Sequence, residues 1–145
     1  MNKEVKKWIG LLQDVDQSEF LILEENLLVR RIKWFEDNLN LVSKLEGNEL
    51  EKAYRLLLLK LEITEGEAPI VRKSKSVIVF HSSNFCPSLE ACKTLGLDTR
   101  IICRELLERP ADALIKRLNP HLRFSRNYSK IRPYSPYCEE IISFM

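Results

Sequence analysis

No uninterrupted apolar run in this chain exceeds four residues, the length of Leu56–Leu59 and of Val77–Phe80. A helix that crosses a bilayer needs about 20 such residues in succession, so no membrane-spanning helix is expected. The opening MNKEVKKWIGLLQDVD lacks a sustained apolar stretch and a small-residue cleavage site, which argues against a secretory leader and for a cytoplasmic protein. Cysteine is scarce, four in all, and no two stand in the C-x2-C or C-x4-C spacing by which a tight turn aims paired sulfurs at one metal. Zinc knuckles, zinc ribbons and iron–sulfur runs are therefore not encoded locally. The net charge of +2 is small and no recognition motif appears, so a nucleic-acid partner is not expected. Internal repeats and low-complexity tracts are absent as well.

What remains is an ordinary globular composition. With 145 residues, 45% apolar and 30% charged, the chain can bury a core without disulfide staples and keep a charged surface. The charge is unevenly spread. Residues 1–67 hold ten Lys/Arg against fourteen Asp/Glu, a net of −4, and residues 68–145 hold thirteen against seven, a net of +6. Such halves suit complementary packing, within one molecule or between two, or an anionic ligand in the basic half. A solvated charged face on each half accounts for the same numbers.

The acidic half reads as helix. Val5, Trp8, Ile9 and Leu12 recur at spacings of three and four. Asp16 with Glu19 has the form of a capping box. From about Ser18 to Leu45 two stripes repeat every seven residues: Phe20, Leu27, Trp34, Leu41 and Leu21, Leu28, Phe35, Val42. One helix of that length would reach about 40 Å at 1.5 Å per residue. That exceeds what the domain's own core needs, so a homodimer packing on the excess is expected. Gly47 suits a left-handed stop and Asn48 with Glu51 starts the next helix, whose inner face is Leu50, Ala53, Tyr54, Leu57, Leu58 and Leu61. Gly66–Ser76 changes composition and reads as a hinge, dividing a helical region 1–67 from a cysteine-containing α+β region 68–145. Val77–Phe80 then predicts a strand, Pro87–Leu95 a helix stopped by Gly96, Asp98 the cap of another, and Pro110 the first turn of a third. Leu122–Arg126 fits a strand, and Cys138–Phe144 fits a strand or a helix. The expected fold is α+β: an N-terminal helical hairpin or bundle followed by a small mixed or antiparallel sheet covered by helices.

Chemistry concentrates in the basic half, which holds all four cysteines and both histidines. In HSSNFCPSLEAC, Cys86 precedes Pro87 at a helix start, where free N–H groups and the helix dipole favour a thiolate, the form that attacks carbon and binds metal. His81, at the end of the preceding strand, would turn back toward that loop as its base. The same two residues serve equally as a small buried cap and a packed strand end. Cys92 lies between Leu89 and Leu95, and Cys103 precedes Leu106 and Leu107, at helical spacings that read as core. In the alternative, Cys86, Cys92, Cys103 and Cys138 gather around a metal only in the folded chain, with His81 as a nitrogen ligand. No other cofactor is indicated. In RFSRNYSKIRPYSPYC, Arg123, Arg126, Lys130 and Arg132 interleave with Phe124, Tyr128, Tyr134 and Tyr137. Guanidinium forks bind carboxylate or phosphate, and aromatic faces stack on a flat ligand. A solvated strand and loop whose tyrosines pack on the sheet is the alternative. His121, after Pro120, reads as exposed.

HSSNFCPSLEACKTLGLDTRIIC and the terminal SPYCEEII resemble 2-amino-thiazoline-4-carboxylate hydrolase-like domains and the related four-vinyl-reductase-type ligand-binding domains. The matching residues are Cys86-Pro87 before a helix, Leu95-Gly96 at its end, and Cys138 followed by Glu139 and Glu140, all in the second half of the chain. The resemblance implies an α+β fold that binds a small molecule, in some members with hydrolase activity. Taken with the residues, it leads to a cytoplasmic protein that binds a small anionic molecule. Arg126, Arg132, Tyr128, Tyr134 and Cys138 would line the site, with Arg126 and Arg132 clamping a carboxylate. Two rival expectations stand beside it. One is a cysteine-dependent hydrolase of a ring amide or amidine, with Cys86 as nucleophile and His81 as base; the other is a metal-binding or redox-sensing protein built on the four cysteines.

Overall fold

A computed structural model describes residues 1–145, and helices cover one face of a four-stranded antiparallel sheet, the α+β class expected. Helix α1 (Lys3–Leu12) begins at Asn2, whose side-chain oxygen accepts from the Glu4 and Val5 N–H groups at 2.8 and 3.2 Å. Helix α2 (Gln17–Asp37) begins at Asp16, which accepts from the Glu19 N–H at 3.1 Å. The single helix expected over 18–45 does not form. Asn38 donates its side-chain amide to the Trp34 carbonyl at 2.8 Å, taking the acceptor that the next helical N–H would use. The chain restarts as a single turn, α3 (Leu39–Val42). Most of the length that suggested a partner is used internally, where α2 lies along the later helices of its own chain.

Helix α4 (Glu49–Leu61) carries the full capping box. Asn48 Oδ1 accepts from the Glu51 N–H at 2.9 Å, and Glu51 Oε1 accepts from the Asn48 N–H at 3.1 Å. The expected hinge contains a strand, β1 (Ile70–Lys73), at the sheet edge. Its Val71, Arg72 and Lys73 are exposed, so no alternating apolar pattern announces it, and charged residues are what an unprotected edge needs. Strands β2 (Val77–Ser82), β3 (Leu122–Arg126) and β4 (Cys138–Phe144) complete the order β1-β2-β4-β3. Helix α5 (Pro87–Leu95) has Cys86 at its cap and stops at Gly96, φ +70°. Pro110 does not open a new helix. α6 (Thr99–Ile102) and α7 (Glu108–Leu118) run on through one π-helical turn, Cys103–Leu107. Pro110 offers no N–H to the Leu106 carbonyl and its ring crowds that oxygen, and the wider turn relieves both.

Register decides which side chains meet the helices. Ile78 lies opposite Ile142 and Phe124 opposite the same residue, so these face inward together with Phe80 and Leu122. They join Leu50, Tyr54, Leu56, Leu57, Leu114 and Ile115 in one core of 17 buried residues that draws on both the 1–67 and the 68–145 regions. Tyr54 ties them further, donating its hydroxyl to the Ala68 carbonyl at 2.7 Å and setting its ring edge-on to Phe80 at 5.1 Å. A second cluster of six, Leu12, Ala91, Cys92, Ile102, Leu106 and Leu107, lies between α1, α5 and the π turn. Helix α2 serves both, with Phe20, Leu23 and Leu27 on the small cluster and Trp34 and Phe35 on the large one. No helix is long and apolar enough to cross a membrane.

Candidate functional site

On the inner face of α2, between Leu27 and Trp34 at helical spacing, stands an arginine. Arg31 is half-buried at the seam where the two apolar clusters meet. Burial lowers its guanidinium to about 10, Arg126 pushes in the same direction, and Glu140 and Cys86 oppose them. Lys60 on α4 is lowered first by burial and then by Arg31. Arg31 forms no ion pair, so it brings an unpaired, partly buried positive charge to the seam.

The far wall comes from the sheet. Beyond Phe124 and level with Phe80 on the same face, Arg126 and Glu140 stand directly opposite each other in register. Arg126 donates from Nε and Nη2 to one oxygen, Glu140 Oε1, at 3.2 and 2.9 Å. Their side chains are only 11% and 12% exposed, so this is an interior ion pair rather than a surface one. Burial opposes the Arg126 charge, and Glu140 with Cys103 and Tyr128 more than restores it. Arg126 Nη1 is buried with no hydrogen-bond acceptor, the one side-chain nitrogen or oxygen in the molecule in that condition. A buried donor left unpaired costs about 1–3 kcal/mol. Glu140 thus bonds one guanidinium, Arg126, and acts on Arg31 only through its field, while Arg126, which also acts on the Tyr128 hydroxyl, leaves its buried Nη1 without a hydrogen bond.

Sulfur lines the rest of the seam. Cys103 sits on the π turn, half-buried against the small cluster, and its thiol is pushed up to about 12 by burial, with Arg126 opposing and Cys86, Cys138 and Cys92 adding to the rise. Cys92 is fully buried in the small cluster and rises to about 11 for the same first reason. Cys86 caps α5 without a side-chain cap bond, its sulfur 3.2 Å from Ser88 Oγ. Cys138 lies opposite Ser82, on the inner face two residues from Glu140. Arg132 donates to its sulfur from the backbone N at 3.4 Å and from Nε at 3.3 Å, and sends Nη1 to the Asn84 carbonyl at 2.5 Å. Tyr128 donates its hydroxyl to Glu108 at 2.8 Å beneath Arg104, and its phenol is raised by burial.

Several expected site residues are placed elsewhere. His81 pairs in register with Glu139, which puts it on the opposite face of the sheet from Cys138, Glu140 and Arg126. Its Nε2–H donates to Glu139 Oε1 at 2.9 Å and its ring stacks on Tyr137 at 3.8 Å, and it makes no hydrogen bond to Cys86. The Cys86–His81 pair expected of a hydrolase is therefore not assembled. Arg132 is occupied by Cys138 and Asn84 and is not an open clamp. Tyr134 is 53% exposed under Arg100 at 4.3 Å, outside the seam. All four cysteines are free, and no three His, Cys, Asp or Glu side chains converge to hold a metal, so the four-cysteine metal centre has no site here.

Sequence reasoning missed Arg31 and Glu140 as site residues. The signal for Arg31 was present, an arginine on the apolar stripe between Leu27 and Trp34. An open depression of about 660 Å³ lies away from this chemistry against Leu21, Ile22 and Glu24 of α2. There Arg109 is already paired with Glu24 and Glu25 at 3.2 and 3.1 Å. Comparison of the chain with protein-family profiles, curated proteins and solved structures finds no match.

Proposed function

We propose that this protein binds a small anionic molecule in the seam between its two apolar clusters, with Arg126 and Arg31 as the recognising groups. The observation that carries the reading is Arg126 Nη1, a buried guanidinium N–H with no acceptor, beside a second guanidinium that has no carboxylate of its own. An anionic oxygen at that position supplies the missing acceptor and the missing charge together. Helices α2 and α4 contribute Arg31 and Lys60 and the sheet contributes Arg126, so ligand binding would draw on both regions of the chain.

The test is a melting-temperature series of the full chain against acetate, longer carboxylates, thiazoline carboxylates and inorganic phosphate. Stabilisation by at least one anion is expected. Arg31→Gln should weaken its binding about tenfold or more, the worth of one charge-assisted hydrogen bond. An unchanged melting temperature with every anion would sink the proposal. The hydrolase alternative keeps thiols at the seam and lacks a histidine beside them. Four unpaired thiols support a reducing, cytoplasmic setting. Self-association through Leu21, Ile22 and Val29, exposed along α2, is supported by that apolar patch and is read by sedimentation velocity.

A further inference from the structure

Among the sulfurs of the seam, Cys138 is the one held by N–H donors. Arg132 reaches Sγ from both its backbone N and its side-chain Nε. Arg132 is itself fixed at two further points, through Nη1 to the Asn84 carbonyl and through its own carbonyl, which accepts from Thr99 Oγ1 at 2.7 Å. Asn84 belongs to the loop before α5 and Thr99 to α6, so three separate segments set the position of one sulfur. Cys138 remains half-buried rather than sealed, which leaves it open to a small reagent.

A second and independent feature lies a short step away. Arg126 is the cross-strand partner of Glu140, and Cys138 stands two residues from Glu140 on the same face. Diagonal neighbours of that kind are about 7–8 Å apart. The residue with the unpartnered Nη1 and the residue with the held sulfur are thus diagonal neighbours on one sheet face, within reach of the two ends of one small molecule, and the Cys103 thiol feels both. Cys92 is sealed in the small cluster, and Cys86 has a serine hydroxyl rather than a guanidinium N–H as its hydrogen-bond partner.

Building on the anion reading above, we infer that the seam captures a small carboxylate bearing an electrophilic carbon a few bonds from its anion, and that Cys138 forms the covalent bond. For an α,β-unsaturated carboxylate the step balances without any further reagent. The Cys138 S–H bond breaks and an S–C bond forms at the β-carbon. The π electrons move to the α-carbon, which takes up the proton through solvent. Arg126 Nη1 holds the carboxylate throughout, and Arg132 positions the sulfur.

Two alkylating agents that differ in charge test this on the full chain. Iodoacetate and iodoacetamide both transfer their methylene to sulfur, with S–C formed, C–I broken, iodide leaving and the thiol proton passing to buffer. Rates at each cysteine are read by peptide mass spectrometry, with glutathione as the solution reference. At Cys138 the iodoacetate-to-iodoacetamide rate ratio should exceed that of glutathione by about tenfold, the worth of one charge-assisted hydrogen bond. Acetate should slow the iodoacetate reaction. Acrylate should add one equivalent of its mass at Cys138 faster than to glutathione.

The Arg126→Gln/Glu140→Gln double variant removes both charges of the pair, so neither is left orphaned, and should abolish the preference. Arg132→Gln should slow both reagents alike. A Cys138 ratio equal to that of glutathione, or label concentrated at Cys86, overturns the inference. If anions still raise the melting temperature in that case, the binding reading stands and the covalent one falls. If neither effect appears, both fall.

Discussion

The Arg126–Glu140 pair makes opposite predictions for one substitution and for two. Both side chains lie almost wholly out of water and Glu140 takes two N–H bonds from the same guanidinium. Arg126→Gln leaves the Glu140 carboxylate buried without its cation and should cost about 3 kcal/mol in urea denaturation. Arg126→Gln with Glu140→Gln removes both desolvated charges and should recover most of that loss. Glu139, on the other sheet face, titrates instead of breaking. Hydrogen bonds from Asn127 at 2.8 Å and from His81 hold it below the usual carboxylate range. A depressed folded value means stability that is present above the unfolded carboxylate range and lost as pH falls through the folded one. Asn127→Ala should therefore raise the Glu139 midpoint by NMR and flatten the acid limb of the stability curve below about pH 4. A midpoint that does not move would show that the Asn127 bond does not hold the charge.

At the scale of elements, stops and starts carry separable costs, and the two left-handed glycines show it. Gly47 has φ +107°, and a Cβ there would lie 2.8 Å from Glu51 Cβ and from Arg55 Nη1. Gly96 has φ +70° and a Cβ would meet nothing within 4 Å. Gly96→Ala should cost about 1 kcal/mol, the conformational term alone. Gly47→Ala should cost more, since it also displaces the capping-box glutamate of α4, whose bonds are worth about 1 kcal/mol. Equal losses in thermal denaturation would remove the packing part of this argument. The same local signals made much of the fold legible in the sequence. Asn48 with Glu51, Cys86-Pro87 with Gly96, and Asp98 each mark a boundary through bonds made within a few residues. What stayed hidden depends on competition or on distance. Asn38 breaks a helix that periodicity extends, by bonding its own backbone at Trp34. Strand β1 exists because β2 offers it a partner, since its exposed Arg72 and Lys73 give no pattern. Pro110 reads as a start, and the π turn absorbs it into a continuing helix.

At the scale of the whole molecule, the site arises from halves that sequence composition separates and packing rejoins. Cys86, Arg126 and Cys138 were legible as chemistry, whereas Arg31 was lost among helical residues 55 to 107 positions away from them along the chain. No local spacing encodes that meeting; it follows from α2 lying across both apolar clusters. The displacement of His81 has the same kind of cause, because strand alternation places it on the opposite face from Cys138 through a register that only the fold sets. The shared core then predicts that residues 68–145 do not fold by themselves. Leu50, Tyr54, Leu56, Leu57 and Leu58 all sit at 5% exposure or less against the sheet and α7. At about 2 kcal/mol each for burial they contribute about 10 kcal/mol, which is comparable to the entire stability of a typical domain. The isolated 68–145 segment should show no cooperative urea transition by circular dichroism. Adding a 1–67 segment in trans should restore one, because the missing half of the core is supplied by α4 rather than by a covalent link. A cooperative transition in the isolated segment would mean that the sheet and α7 close a core without α4, and the seam would then be an interface between two independent domains.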